Sequence, residues 1–231
     1  MINWLVQTAA AFPGLAQGMP PAGLLGAAEA AHFARLRTEK RRRDWLLGRW
    51  TAKHLLQQVL RERCGTEVPL AELQVLNGHT HAPVVQCGAV ARADLPSISI
   101  SHSNSHAFCA ALPRRNPPIG ADIEQIAPRS PQFVQDYFTA VEQDLVQQAV
   151  PEMQATLVTA IWSAKEAALK ALQVGLMVDT RCVTCLFAVT AVPPQAWTPF
   201  AIELDASRLR VAPPLQGWWR VLNGFVLTLA A

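Results

Sequence analysis

At 231 residues the chain has room for one large domain or two small ones. Hydrophobic residues make up 51% and charged ones only 16%, so extensive burial is expected, including an interface between halves. A net charge of +3 is too mild to argue for nucleic acid.

Residues 1–28 carry no charged side chain, but Pro13, Pro20, Pro21 and four glycines interrupt the run, so no membrane span is expected. The first basic residue is Arg35, too late for a secretory signal. Five cysteines, an odd number, fit a reducing compartment better than a disulfide framework. A cytoplasmic protein is expected.

From Gly26 to about Arg63 the pattern predicts one long helix. Ala and Leu recur at three- and four-residue spacing, with Lys and Arg on the other faces. Cys64-Gly65 ends it, and Pro69 enforces the break. Eight of the 20 Lys and Arg lie between Arg35 and Lys53. Trp45, Arg49 and Lys53 line up at i, i+4 and i+8, with Arg42 nearby. That face is either solvated or able to hold a phosphate, with Trp45 or Trp50 free to stack on a base.

Residues 72–90 read as short strands and turns. "PSISISHSNSHAFCAAL" (96–112) reads as a hairpin turning at Ser103-Asn104-Ser105. Ser101-His102 sits at a strand end, where a side chain can aim into a cleft. A nucleophilic Ser–His pair there is weak, because adjacent strand residues point to opposite faces. "PRRNPP" (113–118) reads as a linker and sets the boundary between an N-terminal half, 1–116, and a C-terminal half, 117–231.

"PPIGADIEQI" (117–126) alternates like a half-buried strand. Ile119, Ala121 and Ile123 face one way, Asp122 and Glu124 the other. "PQFVQDYFTAVEQDLVQQAV" reads as helical in its second half, and "EMQATLVTAIWSAKEAALKALQ" as a helix throughout. Strand-like pieces follow, "CVTCLFAVTAV" and "WWRVLNGFVLTLA". Each half thus holds a long helix plus several strands, an α+β pattern seen twice. No sequence repeat is obvious.

On the second long helix Val158, Ile161, Leu169 and Leu172 define an apolar arc, and Lys165 falls in its middle. A lysine there must snorkel, lose its charge or find an anion. Glu166 lies at the edge of the arc, and Lys170 one turn later forms an ordinary surface pair with it on the bland reading. If strand and helix pack together, Asp122, Glu124 and Glu166 form an all-oxygen acidic cluster. Such ligands suit Mg²⁺, which keeps waters and binds substrate phosphates. On the bland reading the same carboxylates are a solvated strand face.

"GADIE", "WSAKEAALK", the upstream "ISHS" and the earlier "LLGRWTAK" together resemble the Sfp-type 4′-phosphopantetheinyl transferases, over roughly residues 24–190. The resemblance implies a pseudo-dimeric α+β fold of two similar halves, with coenzyme A bound between them. The implied reaction is Mg²⁺-dependent transfer of 4′-phosphopantetheine to a serine of an apo acyl or peptidyl carrier protein, with Mn²⁺ as a substitute metal. Adenosine 3′,5′-bisphosphate is the other product. By resemblance Asp122, Glu124 and Glu166 hold the metal, Lys165 stabilises or protonates the leaving phosphate, and Lys170 is another phosphate contact. Ser101 and His102 contact coenzyme A. Glu142, in "YFTAVE", matches a glutamate near the metal. The general base is Glu166 or a metal-bound water. Arg42 and Arg49 are assigned to the 3′-phosphate, with Lys53 on the same face.

The sequence departs from the family at His81-Ala82-Pro83, where a basic residue usually precedes the proline; His79 or His81 stands in for it, or coenzyme A affinity is lower. Cys182 and Cys185 have zinc-like spacing but form a single pair in a strand-like run. Trp218-Trp219 reads as core or interface. Arg129 and Phe133 are candidates for carrier docking. A carrier protein and coenzyme A are the expected partners of a monomer, with no nucleic acid and no membrane. The competing readings are a metal-dependent phosphohydrolase and a non-catalytic module that binds coenzyme A or a carrier protein.

Overall fold

Asn104 and Ser105, both at positive φ (41° and 60°), turn the chain between β4 (Ser97–Ser103) and β5 (His106–Leu112). Short polar side chains tolerate that left-handed backbone, which matches the twist of the flanking strands. The computed structural model describes residues 2–113, 118–188 and 190–231. The chain divides into two compact units, Met1–Pro117 and Pro118–Ala231. The predicted linker falls largely on 114–117, outside the described residues.

In the first unit β1 (Asn3–Thr8) pairs antiparallel with β5, from Asn3↔Ala111 to Thr8↔His106. The sheet order is β1-β5-β4, and β2 (Gln74–Asn77) and β3 (Pro83–Gln86) form a separate hairpin. A short helix, α1 (Pro13–Ala16), follows β1. The single helix expected over 26–63 is two: α2 (Ala27–Ala34) and α3 (Glu39–Cys64). Thr38, in extended conformation, ends the continuity; its hydroxyl accepts the Arg41 N–H at 3.3 Å and starts a new helix. Periodicity runs through the break, so the pattern alone does not reveal it. The far end behaves as expected, with Gly65 left-handed at φ 63°. α3 buries Leu55, Leu56, Val59 and Leu60 against Ile98, Cys109 and Ala111.

The second unit is a five-stranded sheet in the order β6-β10-β9-β8-β7. Its strands are β6 (Gly120–Gln125), β7 (Val183–Leu186), β8 (Thr198–Leu204), β9 (Gln216–Leu222) and β10 (Phe225–Ala230). α4 (Pro131–Tyr137), α5 (Ala140–Gln148) and α6 (Pro151–Ala171) precede β7. Residues 131–148 are therefore helical in both halves, not only the second. Phe138, extended and buried, makes the break, and the Ser130 hydroxyl caps α4. α6 packs Ile161, Ala164 and Ala168 into the core with Val183, Phe200 and Trp219. Buried hydroxyls of Ser163 and Thr228, 2.8 Å apart, satisfy each other between α6 and β10. Cys182 and Cys185 are free thiols buried in this unit. Among the described residues no helix is long and apolar enough to cross a membrane.

Candidate functional site

Gly120 brings β6 hard against α6. A Cβ at that position would stand 1.7 Å from the Ala167 carbonyl oxygen, so only glycine allows the approach. Two residues along, Asp122 is buried beside the last turn of α6. Lys170 Nζ donates to Asp122 Oδ1 at 2.7 Å and to the Ala121 carbonyl at 3.2 Å. Glu166 lies one turn earlier on the same helix. Burial pushes its carboxyl above the ordinary range; Lys170 opposes this, and the charges of Asp122 and Glu124 add to it. Asp122, Glu124, Glu166 and Lys170 are thus one electrostatic group. Arg129 reaches Glu124 Oε2 at 3.6 Å and stacks over Phe133, with its guanidinium carbon 5.2 Å from the ring centre.

Three carboxylates are hard oxygen donors, a set whose chemistry fits Mg²⁺. They do not close into a ready site. Among the described residues no group of three or more His, Cys, Asp or Glu could hold an ion. Instead the Lys170 ammonium takes the Asp122 oxygen.

Lys165 and Glu142 stand apart from this group. Both are fully buried and pair with each other at 2.8 Å. Lys165 also donates to the carbonyls of Thr180 and Val183. Glu142 accepts the backbone N–H groups of Thr139 at 2.7 Å and Cys185 at 2.8 Å. The anion beside this lysine of the apolar arc is the internal glutamate Glu142.

In the first unit Lys53 turns inward in the same way. It is fully buried, paired with Glu29, and donates to the carbonyls of Leu24 and Leu70. Lys40, Arg41 and Arg49 of the basic run line a cavity of about 600 Å³, together with Asp44, Trp45, Asn77, His81 and His102. Arg49 is 93% buried (7% exposed), and its guanidinium lies 4.7 Å from the Trp45 ring centre. Nη2 donates to Asn77 Oδ1 at 3.3 Å, while Nε is buried with no hydrogen-bond partner among the described residues. Desolvation lowers its pKa to about 10, which Glu29 and Cys109 partly oppose. A buried cation with an unused donor on a cavity wall is a place for an anion.

His102 lines this cavity; Ser101, its neighbour on β4, is buried on the opposite face, so they form no nucleophilic pair. Arg42 is not among the lining residues; its guanidinium lies 4.1 Å from the Phe33 ring centre. Arg41 lines the cavity instead. Continuing the Trp45–Arg49 phase back one turn gives Arg41, so the signal was in the sequence. Asn77 and Lys40 carried no such signal. His81 reaches the cavity from the β2–β3 turn, where its φ is 63°.

The sequence over residues 118–228 matches the model of the 4′-phosphopantetheinyl transferase superfamily. Comparison with curated proteins gives no match. Among solved structures the chain is similar to the Chronobacterium ammoiniagenes apo-ACPS, at 21% identity and a TM-score of 0.39, covering 50% of this chain and 97% of that one. It is similar to Helicobacter pylori holo-[acyl-carrier-protein] synthase in complex with coenzyme A, at 18% identity and 0.39, covering 49% and 97%. For the Bacillus anthracis holo-(acyl-carrier-protein) synthase the figures are 20% and 0.38, with coverage of 48% and 91%. These structural likenesses are too weak to carry an argument, and the assignment rests on the matched span. It is over residues 118–228, a little under half of its length, that this chain is similar to the 4′-phosphopantetheinyl transferase superfamily.

Proposed function

We propose that the chain transfers the 4′-phosphopantetheine group of coenzyme A to a serine of an apo acyl or peptidyl carrier protein, releasing adenosine 3′,5′-bisphosphate. The observation that carries this reading is the Asp122–Lys170 contact beside Glu166, inside the family-matched span. Asp122, Glu124 and Glu166 are the residues that would hold Mg²⁺, and the ion when bound supplies charge neutralisation at the pyrophosphate. Lys170 is the residue to release Asp122 and meet a substrate phosphate. Glu166 is the carboxylate assigned to take the proton of the incoming serine. In the first unit Arg49, Arg41 and His102 are assigned to the nucleotide end of coenzyme A.

The pseudo-dimeric, two-half fold belongs to the same proposal. It is supported by a shared plan: in each unit the first strand precedes the long helix and pairs antiparallel with the last strand.

The test is direct. The protein is incubated with coenzyme A, Mg²⁺ and an apo carrier protein, and the carrier is weighed by mass spectrometry. A gain of one phosphopantetheine group supports transfer. Hydrolysed coenzyme A with an unchanged carrier supports a phosphohydrolase, and binding without turnover a non-catalytic module.

A further inference from the structure

The two long helices carry runs that differ only by Thr for Ser, Trp50-Thr51-Ala52-Lys53 on α3 and Trp162-Ser163-Ala164-Lys165 on α6. In both, the lysine is fully buried and ends on a glutamate, the third residue of a shorter preceding helix: Glu29 on α2 and Glu142 on α5. Each glutamate makes the same bonds. Oε2 accepts the N–H of its own helix start, Gly26 at 3.1 Å or Thr139 at 2.7 Å. Oε1 accepts an N–H from the strand that follows the long helix, Val75 at 2.9 Å or Cys185 at 2.8 Å. Each lysine donates to two backbone carbonyls besides its glutamate.

An ammonium has three N–H donors. Both lysines spend all three internally, and none remains for a substrate. The first unit repeats the device where the residue after the lysine is His54 rather than Glu166, and where β1 (NWLVQT) has no carboxylate. A lysine serving a phosphate beside an acidic cluster has no counterpart to serve there.

We infer that Lys165 and Glu142 are a positioning pair: they lock α5, α6 and β7 together and so set the rotation of α6 that turns Glu166, 100° further round the helix, toward Asp122. This rests on the proposed role of Glu166 at the transfer site. Lys53 and Glu29 are the same lock in the first unit, holding the helix that carries Arg49.

The test uses the full chain with Lys165→Met, Glu142→Gln and the double variant. Unfolding midpoints, Mn²⁺ affinity and transfer kinetics are measured for each. Each single change leaves a buried charge or a buried acceptor unmatched and should lower the midpoint by roughly 10 °C. The double variant, neutral and similar in volume, should recover at least half of that loss. Mn²⁺ affinity should fall about tenfold in Lys165→Met and return with the midpoint in the double variant, with the KM for coenzyme A unchanged in both. The lock is overturned if the double variant is no more stable than the singles. It is equally overturned if Lys165→Met raises that KM tenfold while midpoint and Mn²⁺ affinity hold, since the lysine then touches coenzyme A. If a single variant does not fold, the other single and the double still decide the coupling. A wild-type chain that neither transfers nor binds Mn²⁺ overturns the functional reading, and with it the role of Glu166. A wild-type chain that does both, without midpoint coupling, overturns the lock alone.

Discussion

Lys170 Nζ stands 2.7 Å from Asp122 Oδ1, an oxygen of one of the carboxylates proposed to hold a divalent cation. The pair is one-sided in burial: Asp122 is 4% exposed and Lys170 29%, so the lysine can withdraw while the carboxylate stays. Removing either of two proposed metal ligands should therefore cost chemistry and spare the fold. Asp122→Ala and Glu166→Gln are each expected to lose about 100-fold or more in transfer at saturating Mg²⁺, with unfolding midpoints near wild type. Carrier mass and thermal melts check this; near-normal turnover in either variant refutes its place at the metal.

Lys170 competes for Asp122 and is also assigned a phosphate contact, so its removal should have two effects of opposite sign. Lys170→Met should bind Mn²⁺ severalfold more tightly, because a neighbouring positive charge is gone. The same variant should bind coenzyme A about tenfold more weakly, because a charge-assisted contact is lost. Calorimetry with each ligand reads both. Unchanged coenzyme A affinity would leave Lys170 a partner of Asp122 and nothing more.

Gly120 sets the spacing on which Asp122 and Lys170 meet. Gly120→Ala drives a methyl group into the Ala167 carbonyl, and neither backbone can yield cheaply. A loss of at least about 3 kcal/mol is expected from such overpacking against backbone. Gly88→Ala is the control: nothing lies within 4 Å of its would-be Cβ. Denaturant melts should show a large shift for the first and almost none for the second.

The Glu166 carboxyl gives a pH signature. Burial raises its pKa, so the folded chain holds this proton to higher pH than the unfolded chain does. Linkage makes that contribution to stability complete below the ordinary carboxylate value of about 4.3, and it is lost as pH rises through the folded-state value. The stability of wild type relative to Glu166→Gln should therefore decline as pH rises from about 4, then level off once the carboxyl is ionised. Melts of both proteins in a metal chelator give the difference directly. A pH-independent difference would mean that Glu166 titrates alike in both states.

Much of both units was legible in the sequence. Alternation marked β6, apolar periodicity marked α6, and Gly65 and the Asn104-Ser105 turn announced themselves by residue type. Three things were not legible. The breaks at Thr38 and Phe138 interrupt runs whose periodicity continues through them, so capping decides what pattern does not. β1 lies in an uncharged stretch without clear alternation and β8 carries Pro199, so pairing with β5 or β9 supplies what local preference lacks. The partners of Lys53 and Lys165 lie 24 and 23 residues upstream, on other helices; the sequence states that each buried lysine needs an anion, but not which one.

The cavity of the first unit carries the last prediction. Arg49 meets the conditions for an anion contact: it is buried, its Nε has no hydrogen-bond partner among the described residues, and it lines the cavity with Arg41 and His102. Arg42 does not line the cavity, and its guanidinium lies over the Phe33 ring. Dephospho-coenzyme A lacks only the 3′-phosphate, so comparing it with coenzyme A isolates that group. Wild type should prefer coenzyme A by roughly tenfold or more. Arg49→Gln keeps a planar polar group against Trp45 and should erase most of that preference, by weakening coenzyme A and leaving the dephospho form nearly unchanged. Arg41→Ala should erase part of it. Arg42→Ala should leave the preference intact, whatever it does to helix stability through Phe33. Calorimetric titration of both ligands into all four proteins forms the double-mutant comparison. If Arg49→Gln weakens both ligands equally, the arginine acts elsewhere on coenzyme A. If Arg42→Ala, not Arg49→Gln, removes the preference, the phosphate is read from the other side of α3 and the cavity is not its site.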